Sequence, residues 1–363
     1  MKKIQSFLIL LFAMGMTAQG QWSTNPAVNN IICNLSGEQA IPKVAVCPNG
    51  DVYIGYFSQE SGNYNVRLQR LDVMGNVQWA ANGILISNQP QETWLTDWDM
   101  TADPTNHAVL VFNDIRNGNT NVYAYRISPS GSFVWGNNGI ALSNSTAFNA
   151  APKVTATAAG NIIVAWSADE VIKMQRISPA GVVQWTAGGI TVSSANTLSW
   201  PQLMPAGTDD FFMKYFDDSG PAWSPTRHVY AQRYNASGNP VWTSPAVISN
   251  QGGISAWTQI FPLIPDGSGG FYITWHDDRD NNLFASSFVQ RVSGTGQVLF
   301  TANGVEVSNL SNMNHWYPQI ARPENGQDIY VFWNEINGNQ NQWGIIDRKS
   351  TSLNSSHESP SRM

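Results

Sequence analysis

The chain has 363 residues, of which 42% are hydrophobic and 11% aromatic, enough for one large core or two ordinary ones. Only 12% are charged, about half of the roughly 25% usual in soluble domains, so Asn, Ser, Thr and Gly must cover the surface. That suits exposed β-structure and turns rather than solvated helices, and a formal net charge of −6 argues against nucleic acid or an anionic membrane as partner.

Residues 1–20 read as an export signal. Lys2 and Lys3 give a positive start, Phe7 to Met16 is an apolar run too short to span a bilayer, and Ala18 and Gly20 place small residues before a cut at Gln21. No cysteine follows that cut directly and no later stretch has the length of a membrane span, so a secreted or cell-surface protein is expected. Cys33 and Cys47 are the two cysteines. An oxidising compartment permits a disulfide, but spacing alone leaves a bridge and two separate thiols equally open.

From Leu68 onward the sequence repeats itself. LQRLDVMGNVQWAANGILIS at Leu68 is followed by AYRISPSGSFVWGNNGIALS at Ala124, MQRISPAGVVQWTAGGITVS at Met174, AQRYNASGNPVWTSPAVIS at Ala231 and VQRVSGTGQVLFTANGVEVS at Val289. Arginine recurs at Arg70, Arg126, Arg176, Arg233 and Arg291; glycine follows at Gly75, Gly131, Gly181, Gly238 and Gly296; an aromatic follows at Trp79, Trp135, Trp185, Trp242 and Phe300. A repeat-wide residue serves the repeat, so these arginines and tryptophans are expected to be structural, meeting carboxylates or carbonyls and neighbouring units at the unit boundaries.

Ahead of each segment lie a short strand, usually opened by a proline (Pro42, Pro152, Pro201, Pro262, Pro318), a Gly/Asp/Asn turn and an apolar run such as VYIGYF or IIVAW. One period thus holds four short strands, A to D, without helical periodicity. Four antiparallel strands per period of roughly 40–50 residues is the blade of an all-β propeller. Five full units run from about Ile41 to Ser308, and a sixth begins at Tyr317 and reaches Ile346. The segment Gln21 to Ser36 looks like a lone strand D, so six blades are expected over residues 21–346, the last completed by the N-terminal strand, which leaves no open edge.

The Asp72, Gly75 and Trp79 turn resembles the repeat of quinoprotein-like propellers, and the wider pattern resembles secreted bacterial propeller repeats reading W-x-D-x-R-x-G-N, Y-x-Q-R and G-x-x-x-W. Phe112, Asp114, Arg116, Gly118, Asn119, Tyr125, Arg126, Gly131 and Trp135 carry it, as do Trp275, Asp277, Arg279, Gln290 and Arg291. The resemblance implies the fold and a surface or secreted product with no assigned reaction. Only the structural turn matches, so quinone binding does not carry over and no cofactor is expected. From Asp347 the pattern breaks, and residues 347–363 closely resemble a translated sequencing-library adapter; they are expected to be a non-native tail that packs against nothing.

In a four-stranded meander the B–C and D–A connections share one face, where loops vary most. There lie Asp114, Asp217, Asp218, His276, Asp277 and Asp278, together with Trp94, Trp98, Trp200, Trp257, His315 and Trp316. Carboxylates beside exposed rings suit a sugar, so Trp200, Trp257, Trp316, Asp114, Asp217, Asp218, Asp277 and Asp278 are candidate binding residues. The plainer alternative is that the rings wedge blades and the aspartates cap turns. No nucleophile, zinc or paired-glutamate motif is present and no metal site is evident. The expectation is therefore a non-catalytic module binding glycan or another surface protein. The alternative is a carbohydrate-active hydrolase or lyase using Asp217, Asp218, Arg227 and His228 of the divergent fourth unit.

Overall fold

A computed structural model describes Trp22, Asn25, Ala27 and residues 29–350, except 92–97, 222, 255–260, 309–311, 324, 325 and 327. The described residues form six antiparallel sheets and the chain is an all-β propeller. Blade one is β1 (Gln39–Val46), β2 (Val52–Glu60), β3 (Asn63–Leu71) and β4 (Ile84–Ser87); blade two is β5 (Trp98–Ala102), β6 (Ala108–Asp114), β7 (Asn121–Ile127) and β8 (Ile140–Ala141). Blade three is β9 (Asn149–Ala156), β10 (Ile162–Ala168), β11 (Val171–Ile177) and β12 (Ile190–Val192). Blade four is β13 (Thr197–Ala206), β14 (Asp210–Ser219), β15 (Thr226–Tyr234) and β16 (Ala246–Ser249). Blade five is β17 (Leu263–Pro265), β18 (Phe271–Asp277), β19 (Ser286–Val292) and β20 (Val305–Glu306), and blade six is β21 (Asn314–Ala321), β22 (Ile329–Ile336) and β23 (Trp343–Ser350).

Within each blade the strands lie in sequence order, and the first strands contact one another from blade to blade, which makes them the inner ones. Three of the second strands are buried along their whole length: every residue of β6, β10 and β18 is buried. Both faces of such a strand meet a neighbouring blade, so its apolar run is continuous rather than alternating. The core is a set of layers between blades: Tyr53, Phe57 and Leu68 of blade one pack on Trp98, Leu110 and Phe112 of blade two.

The three recurring anchors meet across these layers. Trp79 Nε1 and Arg70 Nη1 both donate to the carbonyl of Pro129, at 3.1 and 3.0 Å, in the C–D turn of the next blade. Trp135 and Arg126 do the same to Pro179, Trp185 and Arg176 to Ala236, and Trp242 and Arg233 to Gly294. The turn glycine two residues beyond that carbonyl lies under the indole. At Gly181, with φ of 86°, an added Cβ would stand 2.8 Å from Trp135, so glycine is required both for the left-handed turn and for the approach. The arginines are neutralised by aspartates near the A–B turns: Arg70 by Asp51, Arg126 by Asp103, Arg233 by Asp210 and Arg291 by Asp266. Arg176 instead takes Asp209 from the following blade.

The structure bears on three further points. Among the described residues the N-terminal segment forms no strand with blade six, whose sheet is β21–β22–β23. It lies on blade one: Trp22 Nε1 donates to Val73 O at 3.1 Å and Asn30 to Gly75 O at 3.1 Å. Trp22 thus stands over Gly75 as Trp79 stands over Gly131, and among the described residues from Asn25 to Ser36 none joins a ladder. Cys33 and Cys47 are free thiols. Cys47 is buried at the end of β1, where burial pushes its pKa up to about 11, while Cys33 bonds to Tyr56. Finally, β23 runs past Ile346 to Ser350, pairing Asp347 with Phe332 and Ser350 with Ile329. A ladder uses main-chain groups, so the change in side-chain pattern at Asp347 does not end the strand.

Trp135 is 9% exposed and clamps blade three. Trp135→Ala is expected to cost about 3–5 kcal/mol in urea unfolding, whereas Trp135→Phe should cost about 1 kcal/mol, because Arg126 still satisfies the Pro179 carbonyl. Equal losses for the two variants would show that the ring contributes little.

Candidate functional site

The aspartates of the loop face hold their own loops. Asp114 accepts Arg116 Nε at 2.9 Å on both oxygens, and that guanidinium lies 3.7 Å over the Tyr123 ring. Asp277 repeats the arrangement, accepting Arg279 Nε and Nη2 at 2.7 Å and Trp275 Nε1 at 2.8 Å, with Arg279 over Phe288. In the fourth blade Asp218 pairs with Arg227 at 2.6 and 2.7 Å across β14 and β15. Asp217 accepts Asn196 at 2.7 Å and lines a cleft of about 450 Å³ with Tyr215 and Tyr230. His228 stands 6.4 Å from the Tyr230 ring and opposite Asp217 in the ladder of β14 and β15. Trp98 is fully buried, and Trp94 and Trp257 lie outside the described residues.

Near the start of four inner strands the ladder is bulged at an X-Pro step. Ile41, Ala151, Trp200 and Tyr317 hold φ between 47° and 56°, each just before a proline. A bulky residue in the left-handed region ahead of proline is strained, and bulges re-aim side chains beside functional sites. The blade before supplies the bond that holds the bulge: Ser167 Oγ accepts Trp200 N at 3.0 Å, and His276 Nδ1 accepts Tyr317 N at 3.2 Å. Trp200 is half-buried against the core of blades four and five. Its carbonyl accepts Lys214 Nζ at 3.3 Å, a fully buried ammonium 3.5 Å over Phe216 whose pKa burial drives far down.

Between blades five and six these devices converge in an open cleft of about 400 Å³, whose lining includes His276, Asp278, Asn314, Trp316 and Tyr317. The His276 ring lies 6.3 Å from Trp316 and 5.6 Å from Tyr317, and both aromatics are part exposed. Because Nδ1 accepts a peptide N–H, the neutral ring carries its proton on Nε2. Asp278 accepts the backbone N–H groups of Asn282 and Leu283, which fixes the rim. Of the expected binding residues, then, the structure brings Trp316 and Asp278 together. Sequence reasoning missed Tyr317, although its place in the recurring X-Pro step was visible, and Lys214, which no sequence signal marked. Among the described residues no three of His, Cys, Asp or Glu converge as a metal site, and no helix is long and apolar enough to cross a membrane.

No family model matches the chain and no curated protein matches it. Solved structures do. The K499G mutant of NanB sialidase from Streptococcus pneumoniae aligns with a TM-score of 0.52 at 9% identity, covering 87% of this chain and 69% of that one. A protein of unknown function from Dyadobacter fermentans aligns at 0.51 and 10% identity, covering 88% and 96%. An α-L-arabinanase from Penicillium chrysogenum, complexed with arabinobiose, aligns at 0.49 and 14% identity, covering 85% and 93%. At these identities the likeness is one of fold. It still overturns the expectation of a non-catalytic module and of no enzyme, because a scaffold shared with a sialidase gives no ground for setting catalysis aside when sequence motifs are missing.

Burial holds the pKa of His276 down to about 3 and that of His315 to about 4. Both rings are neutral when folded and titrate near 6.5 when unfolded, so unfolding takes up protons below that value. Stability is expected to be full above about pH 6.5 and to fall as the pH drops towards 4, with up to about two protons absorbed per molecule. His315→Asn should remove about one of them; a melting temperature flat across this window would contradict the burial of both rings.

Proposed function

We propose that the chain is a carbohydrate-active enzyme, a hydrolase or lyase, that takes its glycan on the loop face between blades five and six. One observation carries the reading: the cleft sets two part-exposed rings, Trp316 and Tyr317, beside the Asp278 carboxylate and a neutral imidazole, His276. A pyranose offers an apolar face to stack on a ring and hydroxyls that need donors and acceptors, and this lining supplies both. The strained Tyr317 backbone, tied to His276, fixes the ring before any ligand arrives, so little ordering cost remains on binding. The fold shared with a sialidase supports the reading. So does the export signal expected at residues 1–20, since polymeric glycans lie outside the cell.

The C–D turns serve a different end. They are short and alike from blade to blade and are occupied by the clasp of indole and guanidinium, so the opposite face offers a uniform rim.

The test is incubation of the purified protein with a panel of neutral, sialylated and uronate-bearing polysaccharides. New reducing ends mark hydrolysis, and ultraviolet absorbance of a new C=C bond marks elimination. Trp316→Ala is expected to lower kcat/KM by about 10- to 100-fold while the fold persists. Failure of the intact protein to shorten any member of the panel would overturn the enzyme reading.

A further inference from the structure

Blade six breaks a bonding rule that blades three and five keep. In blade three Trp166 Nε1 donates to Asn149 Oδ1 at 2.9 Å, and in blade five Trp275 Nε1 donates to Asp277 Oδ2 at 2.8 Å. Aligned on the repeat, Trp333 takes the place of these indoles, His315 the place of Asn149 and Glu335 the place of Asp277. Blade six therefore has a polar side chain at both acceptor positions, and Trp333 uses neither. Trp333 Nε1, His315 Nδ1 and Glu335 Oε2 are all buried without a hydrogen-bond partner. The guanidinium is missing as well: Asn337 stands two residues after Glu335, where Arg116 follows Asp114 and Arg279 follows Asp277.

The three groups form one cluster. His315 and Glu335 are cross-strand partners in β21 and β22, with Nε2 and Oε2 3.8 Å apart, and the His315 ring meets Trp333 edge-on at 6.1 Å. His315 is 1% exposed whereas the Glu335 side chain is 21% exposed, so one carboxylate oxygen is held inside against the imidazole while the group reaches the surface. His315 sits in the chain between Asn314 and Trp316, which both line the cleft. Unmet buried polar groups cost stability, and three of them gathered in one cluster are the mark of a site kept for another purpose.

We propose that Glu335 is the carboxylate that moves the proton in the reaction assigned to this cleft, and that His315 is the positioning residue that orients it. The inference rests on the enzyme reading. When the glycosidic C–O bond breaks, its electron pair leaves on the oxygen, which takes the proton of the Glu335 carboxylic acid. In hydrolysis the water that bonds to the anomeric carbon returns a proton to Glu335. In elimination, the proton removed from the carbon next to a uronate carboxylate restores it, and the C–H electron pair becomes the new double bond. Neither course needs an oxidant or a further reactant.

The experiment compares Glu335→Gln and His315→Asn with the wild type on whichever panel polymer the wild type cleaves. Glu335→Gln is expected to lower kcat about 100-fold or more with KM within threefold and an undiminished melting temperature. His315→Asn, which gives Trp333 the acceptor that Asn149 gives Trp166, is expected to raise the melting temperature, lower kcat about 10-fold and shift one limb of the pH profile. An active wild type whose Glu335→Gln variant keeps kcat within threefold overturns this inference alone, as does a loss of kcat that follows a fall of several degrees in melting temperature in both variants. A wild type that cleaves nothing overturns the enzyme reading and this inference together, and its inactivity tells the two failures apart.

Discussion

At four described blade boundaries a single backbone carbonyl takes two donors, an indole N–H and a guanidinium N–H, from the blade before it. The rest of the molecule depends on this clasp. It fixes the spacing of neighbouring blades, brings the tryptophan down on a glycine that must be left-handed, and seals the edge of each apolar layer against water. Because the donors belong to one unit and the carbonyl to the next, no unit can satisfy it alone, and the stability of each blade is tied to that of its neighbour. Trp22 shows how strong the requirement is. The residue comes from outside any described strand, yet it occupies the same position over Gly75 and reaches the same carbonyl position, Val73.

The clasp also divides the two faces by role. The C–D turns are held alike in blade after blade, which leaves little room for variation. On the opposite face four inner strands begin with strained X-Pro bulges, and the B–C loops are built individually, by Asp–Arg forks in blades two and five and by a cross-strand ion pair in blade four. Variation is tolerated there because the clasp lies at the other end of the strands. Blade six uses that freedom furthest, with Glu335 lacking a guanidinium and His315 and Trp333 left without their usual bonds.

Much of the fold was legible because Arg70, Gly75 and Trp79 recur at fixed offsets, and such offsets survive only where geometry repeats. They also placed the anchors at the unit boundaries; what they could not reveal is that indole and guanidinium share one carbonyl in the turn of the next blade. The site was legible in part. Trp316 and Asp278 were picked out by type and face, but Asp114, Asp217, Asp218 and Asp277 looked equally free. An arginine two residues on, or a partner across a ladder, claims Asp114, Asp218 and Asp277, and loop side chains claim Asp217. The expectation of a module without catalysis rested on missing motifs, and a motif is a property of neighbours in sequence. His315 and Glu335 are 20 positions apart and meet only through the register of β21 and β22. The open question over Cys33 and Cys47 was likewise one of placement: Cys33 bonds to Tyr56, whereas Cys47 is buried at the end of β1.

The central claim is that the glycan binds between blades five and six and not on the clasped face. Amide hydrogen exchange, measured with and without oligosaccharides cut from the polymer that the protein acts on, tests it most directly. The account predicts slowed exchange confined to residues 276–285 and 314–317, with the C–D turns at Gly131 and Gly181 unchanged. Protection at those turns, or along the fourth-blade loop alone, would contradict it.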